Sequence, residues 1–569
     1  MNTNTAINGS PAPTACRNYV RPFLLLAAIG ACASALMFWI TAYGPAVSPD
    51  STVYILTAKS LLAGHGFYVY STPMTLFGPA YPILLAMAGF FQPDVLQAGR
   101  LLHALLFGVN LVLVGLAAQL CTRRNVMATA CALLAFVCSS RVVLVYSTAW
   151  SEPPFITFAL AGFVLLSMHI AHPRLYLLLS GSIALGLAVA TRYVGITLLP
   201  PVIFALLVFG HRSTRHRIMD SIIATLLTCL PVSIWLIRNI LNAKTVTGPG
   251  RGFAVHPFDL DHVKSLIHAL YSFVLPVSAP YHAGSIWYEG TGGFILPTNP
   301  PWWIKASLLA GLTALLFAVL AMLHKRNYLR RNLDSVCMVF PLLCVLYFVA
   351  NVVFHIVFTS FFDADLSIDA RHLLPVALFL VLGVISLVWS LSQALEKRAI
   401  WHSFVLLALL FISINAVRTA STAIYMHRNG RGFTSRDWRN SETISRLTAA
   451  QDIGTIYSNG PDVIRFLTGR DSILIPRKIK QYTRRLNEDY ERQRERMCRE
   501  CGEGKAVLVD LYAIEWRPYL PSLQELESKC NMPVLRKCSD GVIYGTRLGA
   551  EAERAVALDG GSAALHPHP

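Results

Sequence analysis

The acidic residues of this chain are very unevenly distributed, and that limits its fold more than any single motif. Of the 569 residues, positions 1–420 hold only 12 Asp or Glu while 421–569 hold 19; the basic residues divide 25 and 23. Apolar runs close to the roughly 20 residues needed to cross a bilayer recur through the charge-poor part. They lie near 22–43, 98–120, 126–144, 153–171, 174–191, 194–210, 218–237, 303–323, 335–359, 372–393 and 400–420. The expectation is an all-α polytopic membrane protein of about eleven spans, followed by a domain of ordinary soluble composition.

A formal charge of +17 raises the question of nucleic acid. No basic stripe interleaved with aromatic residues is present, so that partner is not expected. The basic residues instead form bursts between apolar runs: Arg123-Arg124, then Arg212, Arg215 and Arg217, then Lys325, Arg326, Arg330 and Arg331, then Lys397-Arg398. Such bursts mark cytoplasmic loops. With eleven spans, Met1 is then cytoplasmic and residue 569 lies outside. This topology puts 14 basic residues inside and 11 outside, and of the 12 acids only Asp220, Asp334 and Glu396 fall inside. The chain is therefore expected in a cytoplasmic (inner) membrane, with 1–21 cytoplasmic and 22–420 as the membrane domain. The first apolar run exceeds the ~7–15 residues of a signal peptide's apolar region and is read as an uncleaved anchor.

Three outer segments are too long to be simple turns, and long loops in compact proteins are usually functional or disordered. The first, 44–97, contains the amphipathic stretch Thr52–Ala63 and a short apolar piece, Pro82–Phe91, read as interfacial or re-entrant. The second, 238–302, is rich in Gly, Pro and aromatics, and Trp287, Tyr288, Trp302 and Trp303 suit a membrane-interface belt. The third is the tail. Helices are expected there at Ser441–Ala449, Asp462–Leu467, Asn487–Arg499 and Ser522–Cys530. Strands are expected at Gly454–Ser458, Ser472–Ile475, Ala506–Leu511 and Gly541–Tyr544. The alternation predicts a small extracytoplasmic α/β domain over 421–548, with 549–569 disordered.

Eight of the 12 cysteines lie in or near the membrane part as small apolar residues; Cys498, Cys501, Cys530 and Cys538 lie in the tail. Zinc, a redox pair, free thiols and structural disulfides all remain open for these four. An outer location favours disulfides and leaves connectivity undetermined.

Ionisable residues near membrane depth are functional candidates because burying charge in lipid is expensive. Asp50 follows the first span in AVSPDSTVYILTAKS, with Tyr54 and Lys59 on the next turns of the same stretch. It reads either as a general base where a lipid-linked substrate meets water or as a helix N-cap. Glu152, in YSTAWSEPPF, sits at the mouth of the fourth span or simply opens its helix. Arg192, Arg238 and Arg371 lie at outer span ends, against the positive-inside trend. They are snorkelling anchors or forks for phosphate oxygens. The run Asp363, Asp365, Asp369 superficially resembles a D-x-D metal pair and reads as a solvated acidic loop or as salt-bridge partners of Arg371, and no Walker A, G-x-S-x-G or H-E-x-x-H pattern occurs.

As an ordered set these segments resemble GT-C-type glycosyltransferases, integral membrane enzymes that use polyprenyl-phosphate-linked sugars. The style is that of bacterial relatives of protein mannosyltransferases and of the lipid A aminoarabinose transferase. The resemblance rests on PDSTVYILTAKSLLAGHGFYVY, FGPAYPILLA, SEPPF, TRYVGITLLPP, IRN, DARHLLPV and the tail segment YSNGPDVIRFLTGR. It implies that Asp50 deprotonates the acceptor and Glu152 supports substrate positioning. Tyr54, Lys59, Arg192, Arg238 and Arg371 become substrate contacts, the last four toward the donor phosphate. It further implies a polyprenyl-phosphate sugar donor, a lipid, glycan or protein acceptor, and a single displacement that inverts the anomeric centre. No cofactor is required by this chemistry, and a divalent metal is allowed but not indicated. One departure is that Ser51 follows Asp50 where many protein mannosyltransferases carry an Asp-Glu pair, which weakens a protein acceptor and a first-loop metal. The competing expectations are a lipid or glycan transporter or flippase, with its polar site near the midplane, and a non-catalytic envelope assembly protein.

Overall fold

The computed structural model describes residues 13–210, 213–248, 266–267, 269–270, 273, 335–363, 370–450 and 453–546. Most of the 238–302 loop, the 303–323 run, the Lys325–Arg331 burst, Arg212, Asp365, Asp369 and the 549–569 tail lie outside the described residues.

Among the described residues the membrane part is mostly helical. In chain order it contains α1 (Pro13–Ile40), α2 (Pro49–Leu62), a two-stranded ribbon β1–β2 (Tyr68–Val69 and Thr72–Pro73), α3 (Ala80–Gly89) and α4 (Val95–Cys121). These are followed by α5 (Val126–Val137), α6 (Ser140–Tyr146), α7 (Glu152–Ala171), α8 (Leu175–Thr191), a 3-10 turn (Tyr193–Leu198), α9 (Leu199–Phe209) and α10 (Thr214–Ala243). Beyond the undescribed stretch come α11 (Ser335–Phe361), α12 (Ala370–Ala394) and α13 (Arg398–Asn429). The protein is a multi-pass integral membrane protein.

Of the eleven expected spans, the one at 303–323 lies outside the described residues. Among the described residues seven helices are long and apolar enough to cross a membrane, and the α5–α6 pair, bent by 60°, makes an eighth if it is one span. The apolar runs at 174–191 and 194–210 form helices that fall short of that test, the second opening with the 3-10 turn before Pro200-Pro201 starts α9. A continuous apolar run does not separate a short buried helix from a full span.

Two helices display their membrane character directly. On α10, Ile222, Leu226, Leu230, Ile234, Ile237 and Leu241 form an exposed apolar stripe, and on α13 Leu406, Leu410, Ile414 and Val417 do the same. In water such patches would be unstable; against lipid chains they need no cover. Inside the bundle, α1 crosses α4 at Gly30 and Gly108, where a Cβ on Gly108 would sit 2.3 Å from the Gly30 carbonyl oxygen. Only glycine permits that approach.

The tail carries β3 (Thr455–Ser458), β4 (Ile473–Leu474), β5 (Ala506–Leu511), β6 (Val534–Lys537) and β7 (Gly541–Tyr544) in one sheet of order β4-β3-β5-β7-β6. The β4–β3 and β3–β5 pairs are parallel, and β5–β7 and β7–β6 antiparallel. Helices Glu442–Ala449, Pro461–Thr468, Tyr490–Gly502 and Leu523–Cys530 lie where the sequence predicts them. Cys498 and Cys530 are disulfide-bonded, joining the last two of these helices, while Cys501 and Cys538 are free and buried.

Side chains alternate along β5, and each face enters a different core. Ala506 and Leu508 pack with Met497, Cys501, Val542 and Tyr544. Val507, Val509 and Leu511 pack into a cluster with Ile464 and Phe433 that continues without a break into Tyr54, Ile55 and Ala58 of α2 and Tyr81 and Leu85 of α3. The tail and the segment between α1 and α4 therefore share one hydrophobic core.

Candidate active site

Four ionisable side chains from four distant segments meet at one end of the bundle. Asp50 lies in the first turn of α2, and Glu152 opens α7. Arg192 follows α8 in extended backbone, and Arg371 is in the first turn of α12. Arg371 donates from Nη1 to Asp50 Oδ2 at 2.7 Å and from Nε to Glu152 Oε1 at 2.5 Å. Arg192 Nη1 reaches the same Glu152 oxygen at 2.5 Å. Both carboxylates sit at helix N-termini, where the backbone dipoles favour negative charge.

The local sequence explains why Asp50 is available. Ser48, not Asp50, is the N-cap of α2: its hydroxyl accepts from the Ser51 N–H at 3.3 Å. Pro49 stands next in the first turn, where its missing N–H costs nothing. The capping alternative for Asp50 is thus occupied by another residue, and its carboxylate turns to Arg371. Trp150 Nε1 donates to Ser48 Oγ at 2.7 Å, tying the start of α2 to the start of α7. The same indole lies 3.9 Å beneath the Arg371 guanidinium as a cation–π platform.

Burial is graded across the cluster. The Glu152 side chain is 0% exposed, Arg371 8%, Arg192 13% and Asp50 34%. Asp50 is thus the most open of the four. Among the described residues Glu152 Oε2 has no hydrogen-bond partner. Tyr54 is buried one turn below Asp50, with its hydroxyl 3.3 Å from Ser151 Oγ. Burial, and after it the Asp50 charge, push its phenol up, so Tyr54 remains a neutral hydroxyl. Behind it, His103 Nδ1 faces the Tyr146 carbonyl at 3.0 Å and so carries the ring proton; Nε2 then accepts from the Tyr81 hydroxyl at 2.6 Å.

Two expected site residues stand apart from this cluster. Lys59 is exposed on the last turn of α2, roughly 13 Å along the helix from Asp50. Arg238 lies over Trp235 and donates to the carbonyls of Met74 (2.8 Å) and Phe67 (3.1 Å), so it fastens the β1–β2 ribbon to α10. Trp150, Ser48 and Ser151 are the participants that a search for ionisable groups does not find, although the quoted motif YSTAWSEPPF contains two of them. Among the described residues no group of three or more His, Cys, Asp or Glu could hold a metal ion.

The geometry offers a half-open carboxylate beside a buried double cation, an arrangement suited to holding an anion next to a base. The whole-chain comparison agrees with the architecture. The crystal structure of apo ArnT from Cupriavidus metallidurans superposes with a TM-score of 0.50 and 14% identity, covering 93% of this chain and 98% of that one. This is a GT-C-type fold. ArnT bound to undecaprenyl phosphate gives 0.49 at 13% identity over 94% and 98% of the two chains. The archaeal oligosaccharyltransferase AglB from Archaeoglobus fulgidus, in complex with an inhibitory peptide and a dolichol-phosphate, gives 0.46 at 13% identity over 90% and 72%. No family model and no curated protein matches the sequence.

Proposed function

We propose that this protein is a membrane glycosyltransferase that moves a sugar from a polyprenyl monophosphate carrier to an acceptor on the outer face of the cytoplasmic membrane. The observation that carries the reading is the Asp50–Arg371–Glu152–Arg192 cluster, in which the most solvent-open member is a carboxylate and the buried members supply two guanidinium groups. The ordered motif resemblance and the GT-C-type fold support it. Asp50 takes the proton from the acceptor hydroxyl or amine as that atom bonds to the anomeric carbon. The bond from that carbon to the phosphate oxygen breaks in the same displacement, and its electron pair leaves on the polyprenyl monophosphate. Arg371 and Arg192 hold the charge of the leaving group, and the anomeric configuration inverts.

The basic-residue count supports an orientation with the tail outside, on the side of the cluster. In this reading Arg238 acts by fixing the ribbon after α2, and Lys59 contributes a positive rim for an approaching headgroup.

The test is Asp50→Asn in membranes supplied with polyprenyl-phosphate sugar. Transfer should fall by about 100-fold or more, the usual contribution of a general base, while the protein still inserts and folds. Unimpaired transfer by that variant refutes the assignment. The lipid profile of a deletion strain should show the accumulated donor or the undecorated acceptor.

A further inference from the structure

We infer that Asp50 is the resting counter-ion of the Arg371 guanidinium and that the donor phosphate displaces it, so that donor binding itself frees the base. The inference rests on the transferase reading above and adds an order of events to it. Glu152, Arg192 and Arg371 together carry one net positive charge, and all three are at least 87% buried. Such a site attracts an anion, and among the described residues Asp50 supplies one, held on Nη1 of Arg371 at 2.7 Å.

The two carboxylates hold Arg371 differently. Glu152 is fully buried, grips Nε and also binds Arg192, so it fixes the guanidinium in place over Trp150. Asp50 takes only Nη1, and its side chain is the one with a path to solvent. A phosphate arriving from that side meets Nη1 first. It offers more negative charge than a carboxylate and matches the planar fork at least as well. On exchange, Nε of Arg371 stays on Glu152 while Nη1 passes from Asp50 to the phosphate. Asp50 then loses the cation that holds its lone pairs and becomes free to accept a proton. No acceptor is activated before a donor is bound.

The consequence is a competition that binding can measure. In Asp50→Asn the rival carboxylate is gone, so the phosphate should bind more tightly although transfer is lost. The purified full-length protein is titrated with a polyprenyl monophosphate and, in parallel, with the matching polyprenol. Asp50→Asn should bind the monophosphate about fivefold more tightly than wild type, the size of a half-exposed ion pair, and the polyprenol equally well. Asp50→Ser should show the same gain. In an Arg371→Gln background, which lacks the cation the two anions compete for, the Asp50→Asn gain should vanish. Equal or weaker monophosphate binding by both folded Asp50 variants overturns the exchange, yet leaves the transferase reading standing if they are inactive. A wild-type protein that fails to bind the monophosphate overturns both.

Discussion

Glu152→Gln is the substitution that most directly tests the electrostatic design of the cluster. Glutamine keeps the size and shape of the side chain and removes only its charge. In the native protein both arginines converge on Glu152 Oε1 at 2.5 Å, and Glu152 has no access to solvent. Without that charge Arg192 loses its buried carboxylate, while Arg371 keeps Asp50, whose side chain is 34% exposed. Removing one partner from a buried ion pair typically costs about 3–5 kcal/mol, because the remaining charge is left uncompensated. Losing a half-exposed pair costs at most about 1 kcal/mol. Thermal unfolding of the purified full-length protein should therefore rank wild type and Asp50→Asn close together, with Glu152→Gln clearly lower. The double variant Glu152→Gln/Arg192→Gln should recover part of the loss, since it removes the surplus cation together with its partner. Equal stability of Glu152→Gln and wild type, or a larger loss in Asp50→Asn, refutes the assignment of Glu152 as the buried anchor.

Two further outcomes follow from the tail. Gly432 pairs with Val47 at φ +59, and a Cβ there would lie 2.3 Å from the Val47 carbonyl oxygen; Gly432→Val should cost about 1–3 kcal/mol and reduce transfer in correctly inserted protein, as measured by donor turnover per folded molecule. Burial, and after it the neighbouring Glu527 charge, raise the Asp510 carboxyl from 3.8 to about 6. Its neutral form is thus favoured by folding, and the stability it contributes is complete below about pH 3.8 and lost as pH rises through 6, by roughly 3 kcal/mol in all. Asp510→Asn should remove that pH dependence and make the tail more stable than wild type at pH 7, read by the pH dependence of its unfolding.

The tail was legible nearly element by element because it contains ordinary soluble periodicities: Ala506–Leu511 and Gly541–Tyr544 are apolar runs bounded by turn residues. The strand Val534–Lys537 was not, since it is an edge strand whose residues are half-buried or exposed and which ends in Arg536-Lys537. In the membrane part the positions of helices follow from apolar runs, while their number as spans does not, because lipid exposure and protein burial favour the same side chains. Asp50, Glu152, Arg192 and Arg371 stood out because charge near the membrane is costly. That rule is blind to what satisfies the charge. Arg238 is satisfied by backbone carbonyls and Arg192 by a buried carboxylate, and both look alike in sequence. The difference depends on contacts between residues that are 40 to 170 positions apart.

In the proposed transferase the shared core gives the tail a part in positioning Asp50 that a separate binding module would lack. Asp50 depends for its position on α2, and α2 is held from both sides. Its start is tied to Trp150 through Ser48, and the preceding Ala46 and Val47 pair with Thr148 and Gly432. Its buried face, Tyr54, Ile55 and Ala58, packs in the same cluster as Ile464, Val507 and Leu511 of the tail. Beyond α2, the Tyr70 hydroxyl donates to the Arg465 carbonyl at 3.3 Å, so the tail also grips the ribbon that Arg238 fastens from the bundle side. In the proposed reaction the base approaches both a phosphate and an acceptor, and that needs its backbone fixed to within a fraction of an ångström. A 14-residue helix has too little packing to achieve that alone. The soluble domain supplies the missing face, which is why the acid-rich quarter of the chain is continuous with the core that carries Asp50.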